Sequence, residues 1–169
     1  EGIIPNINQK QLKEFEFLFS EKFNENHLLA IGINSYEQIN EKDYFYNTLS
    51  IYDHKLNLIN DYKKVKLVPF GEFLPFEKIL NKIGLRSLTN NYQSFSSGNN
   101  REIFSVNEKG FSLKILPLIC YEIIYSGSLF NKPNFDYILN ISEDGWFGES
   151  IGPQQHFTHS IFRAIESGK

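Results

Sequence analysis

The sequence predicts a layered α/β domain, because segments with strand patterning alternate with segments of helical spacing. Two short apolar runs, residues 28–33 and 135–141, have the length and composition of buried strands. Residues 9–23 carry apolar side chains at helical spacing, and Gly152-Pro153 opens a second helical segment with proline in the favoured first turn. Neither an internal repeat nor a domain-separating linker interrupts this order. The chain has 169 residues, 41% of them hydrophobic, which suits one domain with a real core.

The elements follow in order. Leu12, Phe15, Leu18, Phe19 and Phe23 mark one amphipathic helix over residues 9–23, lying on the core. Residues 28–33 form a buried strand. Residues 44–52, rich in aromatic and β-branched side chains, form another, and Asp53-His54-Lys55-Leu56-Asn57 turns the chain into a strand from Leu58. Between residues 63 and 75 two prolines and a glycine sit among apolar residues, which predicts a shaped loop rather than a regular element. Residues 76–83 suit a short helix closed by Gly84. Residues 87–101, polar and rich in Asn, Ser and Gly, read as a flexible surface loop. Residues 101–106 and 110–120 read as paired strands joined at 107–110, and a helical turn begins near Glu122. After the strand at 135–141 comes the loop 142–148, and the last helix runs from Gly152 to about Ser167.

Composition excludes several classes. Seventeen basic against twenty acidic side chains, net charge −3, leave no electrostatic footprint for nucleic acid. Mean hydropathy is −0.34, and no run reaches the 18 or so apolar residues that a membrane-spanning helix needs. Glu1-Gly2 opens the chain in place of the basic and apolar regions of a signal peptide. The one cysteine, Cys120, can form neither an internal disulfide nor a Cys-rich zinc site. The absence of methionine predicts an internal piece of a longer protein. The preference for Lys over Arg, and for Asn, Ile and Phe, follows AT-rich codons and is given no functional weight.

Cys120 falls at a strand-to-helix junction, where a side chain can be presented to a pocket. A lone cysteine is ordinarily a small buried hydrophobe; its company changes that reading. Glu122 lies two residues on, and Lys64 and Glu72 place an ammonium and a carboxylate eight residues apart on the proline- and glycine-shaped loop. A thiol nucleophile needs a base, and the oxyanion it creates needs a cation or N–H donors. His156 and His159, one helical turn apart, could pair on a metal; with no third ligand near in sequence, hydrogen bonding at the helix surface or core is the ordinary reading. Trp146 suits either a core plug or a pocket wall. Val68, Phe70, Phe73, Leu74 and Phe76 suit interior packing or a lipid-facing lid, and the lid is preferred. Residues 89–100 read as a mobile connection.

The strings Lys64-Val-Lys-Leu-Val-Pro-Phe-Gly-Glu72, Ile119-Cys120-Tyr121-Glu122, Trp146-Phe-Gly148 with Ser150-Ile-Gly-Pro153, and Gln155-His156-Phe157, in that order, resemble the bacterial apolipoprotein N-acyltransferases, membrane members of the nitrilase superfamily. The resemblance extends to Tyr46-Asn47-Thr48 and to Arg163-Ala164 with Glu166, so it covers nearly the whole chain. It implies an αββα sandwich of the nitrilase type, of which residues 1–169 would be the internal part of a single catalytic domain. Strands before Glu1 and after Lys169 would complete the sandwich, and transmembrane helices would lie outside it. The isolated piece is then expected to expose strand edges and to be inactive or poorly folded alone.

The resemblance further implies a Glu-Lys-Cys triad, with Cys120 as nucleophile, Lys64 as the lysine and Glu1, in Glu1-Gly2-Ile3-Ile4-Pro5, as the general base. Glu72 would support the lysine, Tyr121 and Glu122 would flank the nucleophile, and Trp146 would line the acyl or substrate pocket. The implied reaction moves a phospholipid sn-1 acyl chain through a Cys120 thioester to the amine of a diacylglyceryl-cysteine lipoprotein. No metal or dissociable cofactor is required, and the implied place is the periplasmic side of a bacterial inner membrane. Glu143, Gln154 and Lys66 depart from the family's commoner Asn, bulky aromatic and His, which bears on substrate preference and leaves the triad intact. A soluble nitrilase-type amidase or carbamoylase shares the triad; the segments flanking it favour the acyltransferase. A catalytically inactive lipid- or protein-binding module would require that Glu1, Lys64 and Cys120 fail to converge.

Overall fold

Strand β2 (Lys42–Tyr52) shows how the layers arise. Leu49 and Ile51 point to one face of its sheet and Tyr52 to the other, and each face finds its own apolar partners. The computed structural model describes residues 8–76, 94–108, 110–127 and 134–169. Glu1 and residues 77–84 of the expected short helix lie outside these residues.

β1 (Leu29–Ile39), β2 and β3 (Leu58–Lys63) form an antiparallel sheet in the order β1-β2-β3. Asn40 and Glu41 both adopt positive φ, 50° and 63°, which matches the twist of a two-residue hairpin turn. The turn into β3 is built by Asp53, whose Oδ1 accepts from the backbone N–H groups of Lys55 and Asn57, both at 2.8 Å. The second sheet runs β4-β5-β6, with β4 (Phe104–Glu108) antiparallel to β5 (Phe111–Ile119) and β6 (Tyr137–Ile141) parallel to it.

Three apolar layers hold these sheets. Between them lie Leu49, Ile51, Tyr62, Phe104, Val106, Ile115, Ile119 and Cys120. Outside the first sheet, Leu12, Leu29, Ile33, Tyr52 and Leu56 pack with Phe15, Phe19 and Phe23. Outside the second, Leu116, Leu118, Ile123 and Phe135 pack together. Helix α2 (Gly152–Ser167) buries His156 and Arg163. Helical segments outside two stacked sheets give the αββα arrangement.

The first segment departs from the single helix expected over residues 9–23. It is a 3-10 turn, Leu12–Phe15, followed by a one-turn helix α1, Glu16–Ser20. Leu12, Phe15, Phe19 and Phe23 still meet the core, but Leu18 lies off that face and is exposed. A helix this short gains little from propagation and follows its packing anchors instead. Among the described residues no helix is long and apolar enough to cross a membrane.

Candidate active site

Lys64 directly follows β3, and Cys120 directly follows β5. Lys64 is completely buried, 0% exposed. Its backbone N–H donates to the Asn47 carbonyl at 2.9 Å, and its own carbonyl accepts from the Gly98 N–H at 2.8 Å. Its ammonium lies 2.8 Å from Glu72 Oε2. A buried ammonium is costly without such a partner.

The loop after Lys64 brings Glu72 back to it. Pro69 and Phe73 bridge, and Phe70 takes a φ of 63° with its N–H on the Phe73 carbonyl at 2.8 Å. That fold returns the Glu72 carboxylate to the Val68 N–H (2.8 Å), while Asn47 Nδ2 donates to Oε1 at 2.7 Å. Both oxygens are held, so Glu72 anchors the ammonium in one place. Of the residues suited to interior packing or a lid, Phe70 and Phe76 stand exposed on this segment while Val68, Phe73 and Leu74 are half-buried.

Cys120 begins the 3-10 turn Cys120–Ile124 with a φ of 51°, in the left-handed region. For a residue with a Cβ this conformation costs about 1 kcal/mol or more. The strain persists because the turn is held on several sides. Glu122, two residues on and wholly buried, returns Oε2 to the Ile119 N–H at 3.0 Å. Its Oε1 accepts from Tyr62 Oη (2.7 Å), Lys66 N (2.9 Å), Arg101 Nη2 (2.9 Å) and Val65 N (3.1 Å). One carboxylate therefore ties the residues after Lys64 to the turn that carries Cys120. Burial, then the Glu122 charge, pushes the Tyr62 hydroxyl well above its ordinary pKa, so it stays a donor. Burial works against the Arg101 guanidinium, but Glu122 and Tyr62 outweigh it and favour the cation.

Of the residues expected from sequence, Lys64 and Glu72 form one buried pair, and Cys120 and Glu122 share the neighbouring turn. Tyr121 is exposed and meets Tyr125 edge-on, with ring centroids 6.3 Å apart. Trp146 is 82% exposed. Glu1 lies outside the described residues. His156 hydrogen-bonds through both ring nitrogens, to Asp144 and to the Cys120 carbonyl, and among the described residues no three His, Cys, Asp or Glu side chains are grouped to hold a metal.

Sequence patterning missed Tyr62 and Arg101 as partners of Glu122 and the role of the polar segment after residue 93. Its described part is docked rather than loose. Phe95 N donates to the Glu72 carbonyl (2.8 Å), Ser96 N to Phe45 (2.7 Å), Gly98 N to Lys64 (2.8 Å), and Ser97 Oγ to Val65 (2.7 Å). A Cβ on Gly98 would overlap the Lys63 carbonyl oxygen. Gly98→Ala is therefore expected to destabilise the protein by about 1–3 kcal/mol, read as a lowered melting temperature. An unchanged melting temperature would show that the close approach is relieved without strain.

The carbon-nitrogen hydrolase family matches residues 9–169. The apolipoprotein N-acyltransferase of Caulobacter vibrioides is 37% identical over 145 residues, covering 84% of this chain and 27% of that protein. That of Rhodopseudomonas palustris is 40% identical over 126 residues, covering 73% and 23%. The chain thus spans about a quarter of the length of the curated relatives it matches. Among solved structures, glutamine-dependent NAD+ synthetase from Acinetobacter baumannii in complex with ADP superposes with a TM-score of 0.53 at 18% identity, covering 93% of this chain and 24% of that one. At that identity the likeness shows a shared fold.

Proposed function

The chain belongs to the carbon-nitrogen hydrolase family, and from that membership we propose that it is part of the catalytic domain of an apolipoprotein N-acyltransferase. The observation that carries the reading is the Glu122 carboxylate, which joins the segment after Lys64 to the strained turn at Cys120. A cysteine presented on such a turn, tied through Glu122 to the segment after a lysine whose ammonium is fixed by Glu72, suits attack on an acyl carbonyl. The relatives' name and the long run of similarity support acyl transfer over amide hydrolysis.

In the proposed reaction Glu1 takes the Cys120 thiol proton as the sulfur attacks the sn-1 ester carbonyl of a phospholipid. The carbonyl oxygen gains negative charge, and Lys64, with a backbone N–H near Tyr121, stabilises it. Among the described residues the ammonium has only Glu72 as a partner, which leaves N–H bonds for that oxyanion. The C–O bond breaks, Glu1 returns the proton to the leaving lysophospholipid, and an acyl thioester remains on Cys120. The α-amine of a diacylglyceryl-cysteine lipoprotein then attacks the thioester. Glu1 takes the amine proton, the thiolate leaves, and reprotonation restores the thiol. Trp146, which is exposed, is proposed to line the acyl or substrate pocket. The chemistry would take place on the periplasmic face of a bacterial inner membrane, reached through segments outside these 169 residues.

The test uses the full-length protein in membranes, with and without Cys120→Ala, given phospholipid labelled in its acyl chain. A hydroxylamine-labile acyl group on the wild type alone, chased off by a lipoprotein amino terminus, is the expected result. Absence of label on both, with hydrolysis of small amides, would place the chain with the amidases instead.

A further inference from the structure

We propose that His156 is a positioning residue for the nucleophile, holding the Cys120 carbonyl through one ring nitrogen while Asp144 anchors the other. The inference rests on the reading of Cys120 as the nucleophile. His156 stands in the first turns of α2 and is 5% exposed. Nε2 lies 3.0 Å from the Cys120 carbonyl oxygen, and Nδ1 lies 2.8 Å from Asp144 Oδ1. The Ser142 hydroxyl donates to the same Asp144 oxygen at 2.6 Å.

A carbonyl oxygen only accepts hydrogen bonds, and so does an ionised carboxylate. Both ring nitrogens must therefore carry hydrogen for both contacts to exist together. Desolvation of Asp144 opposes ionisation, but the hydrogen bonds from Ser142 and His156, with the attraction of the imidazole, outweigh it and hold that carboxyl below its usual range. Seven residues along, on the same face of α2, buried Arg163 reaches the Ile124 carbonyl at 3.5 Å through Nη1 and Glu166 at 2.7 Å through Nη2. Helix α2 thus grips the turn Cys120–Ile124 at both ends.

Cys120 lies one residue beyond the β5–β6 ladder, in the left-handed region, and His156 Nε2 supplies a donor to its carbonyl.

The experiment compares wild type, His156→Ala, His156→Gln and Cys120→Ala, all full length in membranes. One readout is acyl-enzyme formation from labelled phospholipid; the other is alkylation of Cys120 by iodoacetamide, followed by mass spectrometry. For His156→Ala we expect acylation about 10- to 100-fold slower at neutral pH, slower alkylation, and an unchanged KM for phospholipid. His156→Gln keeps a donor for the carbonyl, so part of the rate returns. Wild-type rates of both reactions in His156→Ala, or no recovery in His156→Gln beyond the alanine variant, would overturn the inference. If His156→Ala does not fold, the glutamine variant decides. A labile acyl group on Cys120→Ala would overturn the nucleophile reading instead, and the alkylation comparison would still decide whether His156 holds the turn.

Discussion

Glu122→Ala is expected to destabilise the protein by about 3–5 kcal/mol, the range for stripping one partner from a buried ion pair. The carboxylate is wholly inside and accepts five hydrogen bonds. Its removal takes the Glu122 carboxylate from the Arg101 guanidinium in a mostly buried place and leaves the N–H groups of Val65, Lys66 and Ile119 without that acceptor. Glu122→Gln would also be damaging, because an amide nitrogen must then face donors that a carboxylate oxygen accepts. Adding Arg101→Met to Glu122→Ala should recover part of the loss, since it removes the charge that Glu122 balanced. Denaturant titration reads the effect. A midpoint for Glu122→Ala within about 1 kcal/mol of wild type would mean that the carboxylate contributes little to holding the two junctions together.

The second large effect separates chemistry from stability. Lys64→Met should slow acyl-enzyme formation by roughly 10²–10³-fold, the usual loss on removing an oxyanion donor. It should also destabilise by about 3–5 kcal/mol, because Glu72 stays buried with, among the described residues, only Asn47 and the Val68 N–H to compensate its charge. Lys64→Met combined with Glu72→Gln removes both charges and keeps the volume. That pair should regain most of the stability and none of the acyl transfer. Recovery of activity in the double variant would reduce Lys64 to a structural ion. Full stability in the single variant would mean that the Glu72 contact is weak.

Much of the fold was legible because local rules and tertiary structure agree. The strand at residues 44–52, the Asp53 turn and the β4–β5 hairpin follow from alternation and turn chemistry, and each forms close to its expected place. The segment at 9–23 was harder, because its helical spacing was real but too short to sustain one helix against its packing anchors. Low-complexity polar composition correctly marked residues 94–101 as irregular, yet composition carries no information about where backbone N–H groups dock. The site was legible as a set of strings, Lys64, Glu72, Cys120 and Glu122 among them. How they are held was not, because Tyr62, Arg101 and His156 meet them only after the two sheets and α2 have packed.

The Glu122 clamp also bears on the order in which the molecule assembles. It joins positions 56 to 60 residues apart, whereas the β1–β2, β2–β3 and β4–β5 hairpins close between neighbours. Chain closure over that distance places the clamp after the hairpins on the folding route. Contacts made after the rate-limiting barrier alter the unfolding rate and leave the refolding rate nearly unchanged. Glu122→Ala should accordingly steepen escape from the native state, visible in the unfolding arm of a chevron plot, with the refolding arm unmoved. The buried carboxylate then acts as a latch: it sets how long the two junctions stay closed rather than how fast they find each other.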